Sequence, residues 1–342
     1  MWYTAAGKDN DIVISTRLRL ARNFKDLNFP GKMTEDEARS VIQRVCEVVK
    51  SSDLPGAREY RYLDMQNTPD IDKMVLLEQH MVSSELISGS APRGVLTGGG
   101  DNISIMINEE DHLRMQCVLS GYDLSRAFEM INKVDNVIEQ QIDYAFSEKY
   151  GYLTKCPTNT GTGMRASVML NLPGLSMTGN INNIVATVNK LGITVRGMYG
   201  EGSEAKAYLF QVSNQVTLGI SEQETLEKLK DVVDMLIEKE REVCKTLYEN
   251  NTVAFKDKVC RAYGLMSNAY LMSSDEFMKL IPYIRMGVNM GILNHVDLVT
   301  VNTLLIELQP AHVAKLSVSD NASRRDEKRA EILREKLKEK ID

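Results

Sequence analysis

Cysteine is scarce in this chain and unpaired in its spacing: five residues, at positions 46, 117, 156, 244 and 260 of 342. An odd count with no CxxC-type pair excludes a disulfide framework and a structural zinc site, and fits reduced thiols in a cytoplasmic protein. Long apolar runs are missing as well. The opening Met1-Trp2-Tyr3-Thr4-Ala5-Ala6-Gly7-Lys8-Asp9 carries charge where a secretory leader needs an apolar stretch, and no later segment reads as a bilayer span. Neither sign of charge dominates. Forty-one Lys and Arg against 47 Asp and Glu leave a net charge of −6, which excludes a general nucleic-acid or membrane-surface binder. No GxxxxGK[ST] run occurs, so any phosphate-handling site here lacks that backbone cradle. What is present is 43% hydrophobic residues, enough for a substantial core spread over two or three domains.

Local patterns predict an α+β body. Ile12 to Leu20 reads as an opening strand, with Arg17 and Arg19 alternating onto one face. Thr34-Glu35-Asp36-Glu37 has the form of a capping box, and Val41, Val45, Val48 and Val49 behind it predict a helix over 35–50. Gly94 to Ile107 reads as a hairpin around Gly98-Gly99-Gly100-Asp101-Asn102, whose second strand delivers an acidic segment. Leu124, Phe128, Ile131, Val134, Ile138, Ile142 and Ala145 step by three and four, predicting a long amphipathic helix that leads into a cysteine-bearing loop. A shorter helix is expected over 181–191 and strands over 193–199 and 208–218. Ser221-Glu222-Gln223-Glu224 opens a further helix. The sum is an antiparallel sheet flanked by helices. Beyond about residue 245 the β-prone runs stop and the pattern is mainly helical, which divides 1–244 from 245–342.

Four segments carry chemistry. They are Ser15-Thr16-Arg17-Leu18-Arg19, Asn108-Glu109-Glu110-Asp111-His112-Leu113-Arg114, Cys156-Pro157-Thr158-Asn159-Thr160-Gly161-Thr162-Gly163-Met164-Arg165, and Arg196-Gly197-Met198-Tyr199-Gly200-Glu201. Guanidinium forks bind phosphate oxygens in bidentate fashion and stay charged, so arginines spread over several segments can replace a backbone cradle. Two carboxylates, Glu110 and Glu201, can clamp the sides of one planar guanidinium. Gly161 and Gly163 suit a turn with close approach. Each segment alone has a plainer reading. The acidic run can be a solvated loop, Arg17 and Arg19 surface ion pairs, and Cys156 a small buried hydrophobe, as Cys46, Cys117, Cys244 and Cys260 are read.

Together the four segments resemble the ATP:guanidino phosphotransferases, the creatine and arginine kinase superfamily, over residues 11–240, and most closely its protein arginine kinase branch. The resemblance implies a phosphagen-kinase-like catalytic domain followed by a helical regulatory domain, with ATP and Mg2+ as phosphoryl donor. The metal is then held largely by nucleotide oxygens and water, with no protein metal site. ATP contacts carry over to Ser15, Thr16, Arg17, Arg19, His80, Arg114, Arg165, Ala166, Ser167, Val168, Met169, Arg196 and Gly197; that of His80 rests on the short match Leu77-Glu78-Gln79-His80. An acceptor arginine keeps its proton up to a pKa above ~12 and must lose it as nitrogen attacks, so a carboxylate has to take it. The resemblance makes Glu110 that base and Glu201 the orienting partner, an order that can be reversed. Cys156 is implied as an electrostatic aid and an oxidation-sensitive position. His112 is read as packing or orienting, and His295 and His312 carry no assignment.

The tail Arg325-Asp326-Glu327-Lys328-Arg329-Ala330 matches the Arg-Asp-x-x-Arg-Ala motif of that branch, which implies an allosteric phosphoarginine pocket built from Arg325, Asp326, Arg329 and Ala330. Arg325 and Arg329 are four apart and share a helix face. A solvated charged helix is the plainer reading. Creatine and arginine kinases carry a helical domain before the first arginine motif, where this chain has about ten residues; the difference implies a site open to an arginine on a polypeptide. By the same resemblance the enzyme is a homodimer in bacterial protein quality control and stress response. Its implied partners are protein substrates with exposed arginines, an activator such as McsA, the Clp protease machinery and a stress-response repressor. Two other readings stay open: a phosphagen kinase for a free guanidino compound, and a phosphoarginine-binding adaptor without catalysis.

Overall fold

The computed structural model describes residues 1–98, 100, 102–197, 206–317 and 321–338. Along the chain run β1 (Val13–Arg22), α1 (Glu35–Ser51), β2 (Arg61–Asp64), α2 (Asp70–Glu78), α3 (Ser84–Ser88), β3 (Gly94–Gly98), β4 (Ile103–Ile107), β5 (Leu113–Ser120) and α4 (Leu124–Glu139). There follow β6 (Phe146–Ser147), β7 (Gly151–Tyr152), β8 (Met164–Asn171), α5 (Pro173–Met177), α6 (Ile181–Asn189), β9 (Ile193–Gly197) and β10 (Leu209–Asn214). Helices complete the chain: α7 (Glu222–Asn250), α8 (Thr252–Asn268), α9 (Ser274–Asn289), α10 (Leu298–Glu307), α11 (Pro310–Ser317) and α12 (Ala322–Leu337).

Eight strands form one antiparallel sheet in the order β2-β3-β4-β5-β1-β8-β10-β9, with β1 paired on both sides. Alternation along β1 sends Leu18 and Leu20 to one face, where they join Val41, Val45, Ile131, Val168 and Leu229 in the main core beneath α1, α4, α6 and α7. The opposite face is covered only in part. Met169, Val118 and Leu209 meet Trp2 and Tyr3 of an N-terminal 3-10 turn and, beyond them, Phe277, Ile281, Leu304 and Leu333 of the helical half. Arg241 on α7 bonds Asp9 at 2.8 Å and Asp11 at 2.7 Å, and across the two halves Arg285 Nη1 donates to the Asn10 carbonyl at 2.6 Å.

Both capping boxes form, at Thr34/Glu37 and Ser221/Glu224, and the 94–107 hairpin is β3–β4. Several boundaries differ from expectation. Helix α4 stops at Glu139, although Ile142 and Ala145 remain buried. Residues 143–145 leave the helix to pair with 23–25, Lys25 N donating to Asp143 O at 3.0 Å and Ala145 N to Asn23 O at 2.7 Å. A long-range pairing has overridden the local period. Strand β10 is confined to 209–214. Strand β9 is described over Ile193–Gly197, and the rest of its expected span lies outside the described residues. Helix α7 runs unbroken through Cys244 and Lys245 to Asn250.

Candidate active site

Register alone gathers the arginines, because directly paired residues in a sheet project from the same face. Arg19 pairs with Gln116 on β5 and with Arg165 on β8, and Ala21 pairs with Arg114. Met169 pairs with Ser15 and with Gln211, which in turn pairs with Arg196 on β9. With a side-chain period of two, Arg17, Arg19, Arg114, Arg165 and Arg196 therefore share the face left open by the helical half.

Burial and crowding make three of these cations harder to charge. Burial first, then Arg114 and Arg165, pull the Arg17 guanidinium down to about 10. Arg19 is held well below its ordinary value by burial, Arg17, Arg114 and Arg165. Burial, Arg196 and Arg114 also lower Arg165. Partial relief comes from Glu109, 6% exposed, which accepts from Arg114 Nη1 at 2.5 Å and from the Ser83 hydroxyl. The surplus of positive charge over an open face is an anion site. Beside it His80 sits at φ +59° with its carbonyl accepting from Gln116 Nε2 at 2.6 Å. Burial and Arg17 push its ring down to about 3, so it is neutral at physiological pH. Ser15, Arg17, His80, Ser167 and Met169 line a narrow recess there.

A wider cleft of about 720 Å³ opens next to the recess. Arg19, Arg114 and Arg165 line it together with Glu110 and Cys156. Glu110 rides the β4–β5 turn, which closes through a bond from Asn108 N to His112 O at 2.9 Å, with Asn108 at φ +59°. Burial, then Asp111 and Glu109, push the Glu110 carboxyl up, which makes it a better proton acceptor than an ordinary carboxylate. Cys156 is half-buried, its Sγ 3.0 Å from Thr158 Oγ1. His112 is spent on backbone: Nδ1 accepts from Phe24 N at 2.9 Å and Nε2 faces Asn28 O at 2.9 Å.

Other expected site residues fall elsewhere. Ala166 and Val168 are fully buried in the core on the far face, so their side chains are not brought to the arginines. Thr16 is buried too, donating to Gly121 O at 2.7 Å and accepting from Asp123 N at 3.1 Å. Gly197 closes β9, and Glu201 with 198–200 lies outside the described residues. Gly161 and Gly163 adopt φ +117° and +63°. A Cβ on Gly163 would stand 2.6 Å from the Ala21 carbonyl, and one on Gly161 would strike the Thr217 carbonyl, so the close approach they permit is to protein backbone. Cys46 is half-buried and Cys117 and Cys244 are buried, whereas Cys260 is exposed and departs from the buried reading. On α12, Arg325 and Asp326 are half-buried. Arg329 is 1% exposed, with Nε on Leu308 O at 3.0 Å and Nη1 on Met272 O and Asp326 Oδ1, both at 2.7 Å. Sequence reasoning gave no role to Glu109, Asp111 or Asn23. The first two stood inside a motif whose charge alone did not separate clamp from base; Asn23 carried no periodic or motif signal.

An antiparallel sheet with an arginine face and a flanking carboxylate defines a guanidino-group phosphotransferase, and solved structures of that class superpose on it. Lombricine kinase matches with a TM-score of 0.60 and 27% identity over 68% of this chain and 67% of that one. The duplicated taurocyamine kinase from Schistosoma mansoni with bound transition state analog components matches at 0.61 and 25%, over 74% of this chain and 36% of that one. The ATP:guanido phosphotransferase C-terminal catalytic domain matches residues 40–243, and the protein-arginine kinase McsB C-terminal domain residues 252–341. Curated relatives include the protein-arginine kinase of Bacillus velezensis, 42% identical over 98% of this chain and 93% of its own length. That of Caldanaerobacter subterraneus subsp. tengcongensis is 43% identical over 97% and 98%. The chain belongs to the protein-arginine kinase family of ATP:guanido phosphotransferases. It is an ATP-using enzyme that transfers a phosphoryl group to arginine. Among the described residues no helix is long and apolar enough to cross a membrane.

Proposed function

We propose that transfer takes place in the 720 Å³ cleft, with the ATP phosphates on the arginine face and the acceptor guanidinium between Glu110 and Cys156. The observation that carries this reading is that a single cleft is lined by Arg19, Arg114 and Arg165 together with Glu110 and Cys156. Arg17 and Arg196 extend the clamp along the same face, and His80, Ser15, Ser167 and Met169 border the nucleotide. Glu110, its carboxyl raised, takes the guanidinium proton while Cys156 lies alongside; Glu201 is the second orienting carboxylate. Glu109 is engaged by Arg114 and Ser83, and Asp111 Oδ1 by Asn23 and Lys155, so both already serve protein donors. Magnesium is accordingly assigned to the phosphate oxygens and water of the nucleotide.

The acceptor is an arginine within a polypeptide. With Mg-ATP, an unfolded arginine-rich protein and free arginine offered separately, acid-labile phosphate should appear on protein arginines located by mass spectrometry. Transfer to free arginine alone would make the enzyme a phosphagen kinase, and transfer to neither would favour the adaptor reading.

The C-terminal helices form a regulatory domain whose junction with the catalytic domain lies near the end of α7, with a phosphoarginine pocket around Arg325 and Asp326. The donors of Arg329 are committed to buried carbonyls, so Arg329→Ala should lower stability by about 1–3 kcal/mol for each carbonyl left unpaired. Arg325→Ala is the cleaner probe: the ratio of phosphoarginine-stimulated to basal rate should fall to about one. An undiminished ratio would return α12 to a solvated helix. A cytoplasmic homodimer acting in protein quality control and stress response, with an McsA-like activator, Clp protease and a repressor as partners, completes the reading. Tyr270 and Leu271, exposed between α8 and α9, are apolar surface of the kind that meets another protein.

A further inference from the structure

One amide joins the acidic turn to the cysteine loop. Asn23 follows the last residue of β1, is 1% exposed, and commits its whole side chain. Nδ2 donates to Asp111 Oδ1 at 2.6 Å and to Leu153 O at 3.0 Å, while Oδ1 accepts from His112 N at 2.9 Å. The same Asp111 oxygen takes a second bond from Lys155 N at 2.7 Å. The residue after Glu110 and the residue before Cys156 thus meet on one buried carboxylate, which Asn23 holds in place. Its neighbour Arg22 secures the other stem of the loop. Nη1 donates to Thr162 O at 3.0 Å, Nε and Nη2 grip Asp135 at 3.1 and 2.6 Å, and the guanidinium stacks 3.5 Å from the Tyr152 ring centre. Two consecutive residues at the end of the strand bearing Arg17 and Arg19 therefore hold both ends of the 153–163 loop.

We propose that Asn23 is a positioning residue for phosphoryl transfer: its amide fixes the separation of Glu110 from Cys156, and with it the width of the slot that receives the acceptor guanidinium. The inference rests on the reading of Glu110 and Cys156 as the walls of that slot. Asn23 has no covalent part in the reaction. Without it Asp111 keeps a single partner on that oxygen, and Leu153 O and His112 N lose theirs, so the two loops can move apart. The arginine face is set by strand register, which does not depend on Asn23. Its loss should therefore act on turnover and on the acceptor, and spare the nucleotide.

In the full-length enzyme, Asn23→Ala should lower kcat by about tenfold to a hundredfold, the effect of a misplacement near 1 Å, with the ATP dissociation constant changed by no more than about twofold. Asn23→Asp gives a readout that a packing role would not move. It keeps the volume and the acceptor for His112 N, but sets a carboxylate against Asp111, and two such groups share a site only when one is protonated. The ratio of variant to wild-type rate should therefore rise as pH falls. The charged neighbours of Asp111, which are Glu109, Glu110 and Arg114, are common to both proteins and divide out of the ratio. An unchanged kcat in Asn23→Ala, a parallel loss of ATP binding, or a ratio in Asn23→Asp that is flat with pH would overturn the proposal; if Asn23→Ala does not fold, the pH ratio decides. Glu110→Gln run alongside separates the two levels, since retained turnover there would sink the slot reading itself.

Discussion

Glu110→Gln is expected to lower turnover by about 10²- to 10⁴-fold, the range that a positioned general base contributes, with ATP affinity largely kept. The amide is nearly isosteric, so the β4–β5 turn should survive: its closure runs through Asn108 N and His112 O, and its anchor through Asp111, none of which uses the Glu110 carboxylate. What the amide cannot do is accept a proton from a guanidinium. The wild-type pH profile should show the same group. Burial and the neighbouring Asp111 and Glu109 raise its carboxyl, so the acid limb of kcat/KM should lie above the ordinary carboxylate range. Activity falls as pH drops through that raised value, because the protonated base is lost. In Glu110→Gln the limb should vanish from the residual rate. A variant that retains full turnover, or one that keeps the limb, would move the base role to another group.

How much of this site could be read from the sequence depends on the range of the interaction. The alternation that puts Arg17 and Arg19 on one face of β1 is local, as are the capping boxes at Thr34 and Ser221, and all three are present. The acidic run and the cysteine loop could be named because they are contiguous. Which arginines face one another could not, because the pairings of Arg19 with Arg165 and of Arg196 with Gln211 depend on strand order and register, set by turns and packing far away in the chain. The same limit bears on two local patterns. Ala166 and Val168 carry over with Arg165 as ATP contacts through the family resemblance, and because a strand sends alternate residues to opposite faces, their side chains lie in the core. Ile142 and Ala145 kept a helical step, yet residues 143–145 gained more by pairing with 23–25. Asn23 marks the far end of this scale. Its contacts reach 88 and 130 residues along the chain, and nothing in Arg22-Asn23-Phe24 announces them.

The arginine face also sets stability against function. Arg19 is paired directly with Arg165 on the neighbouring strand β8, has a buried Nε with no hydrogen-bond partner, and is disfavoured in its charged form by burial and by three neighbouring cations. A basic group whose folded pKa lies below its unfolded value weakens the fold at every pH below the folded value, which for Arg17 is about 10. Adjusting pH through the physiological range therefore brings no relief, whereas an anion does. Arg19→Met, of similar length and without charge, should raise the melting temperature of the unliganded enzyme by about 1–2 °C for each kcal/mol of repulsion removed. It should also lower kcat/KM by about 10³-fold or more, as loss of a phosphate-clamping arginine does in other phosphoryl transferases. The rise in melting temperature that MgATP gives the wild type should shrink in the variant, because less binding energy is linked to folding. Calorimetry and steady-state kinetics on the same preparations test the three effects together. A lower melting temperature with activity intact would mean that Arg19 supports the sheet and that the phosphates are held elsewhere. Higher stability with activity lost would identify the uncompensated charge as the feature the enzyme keeps, at the expense of its own fold, for binding phosphate.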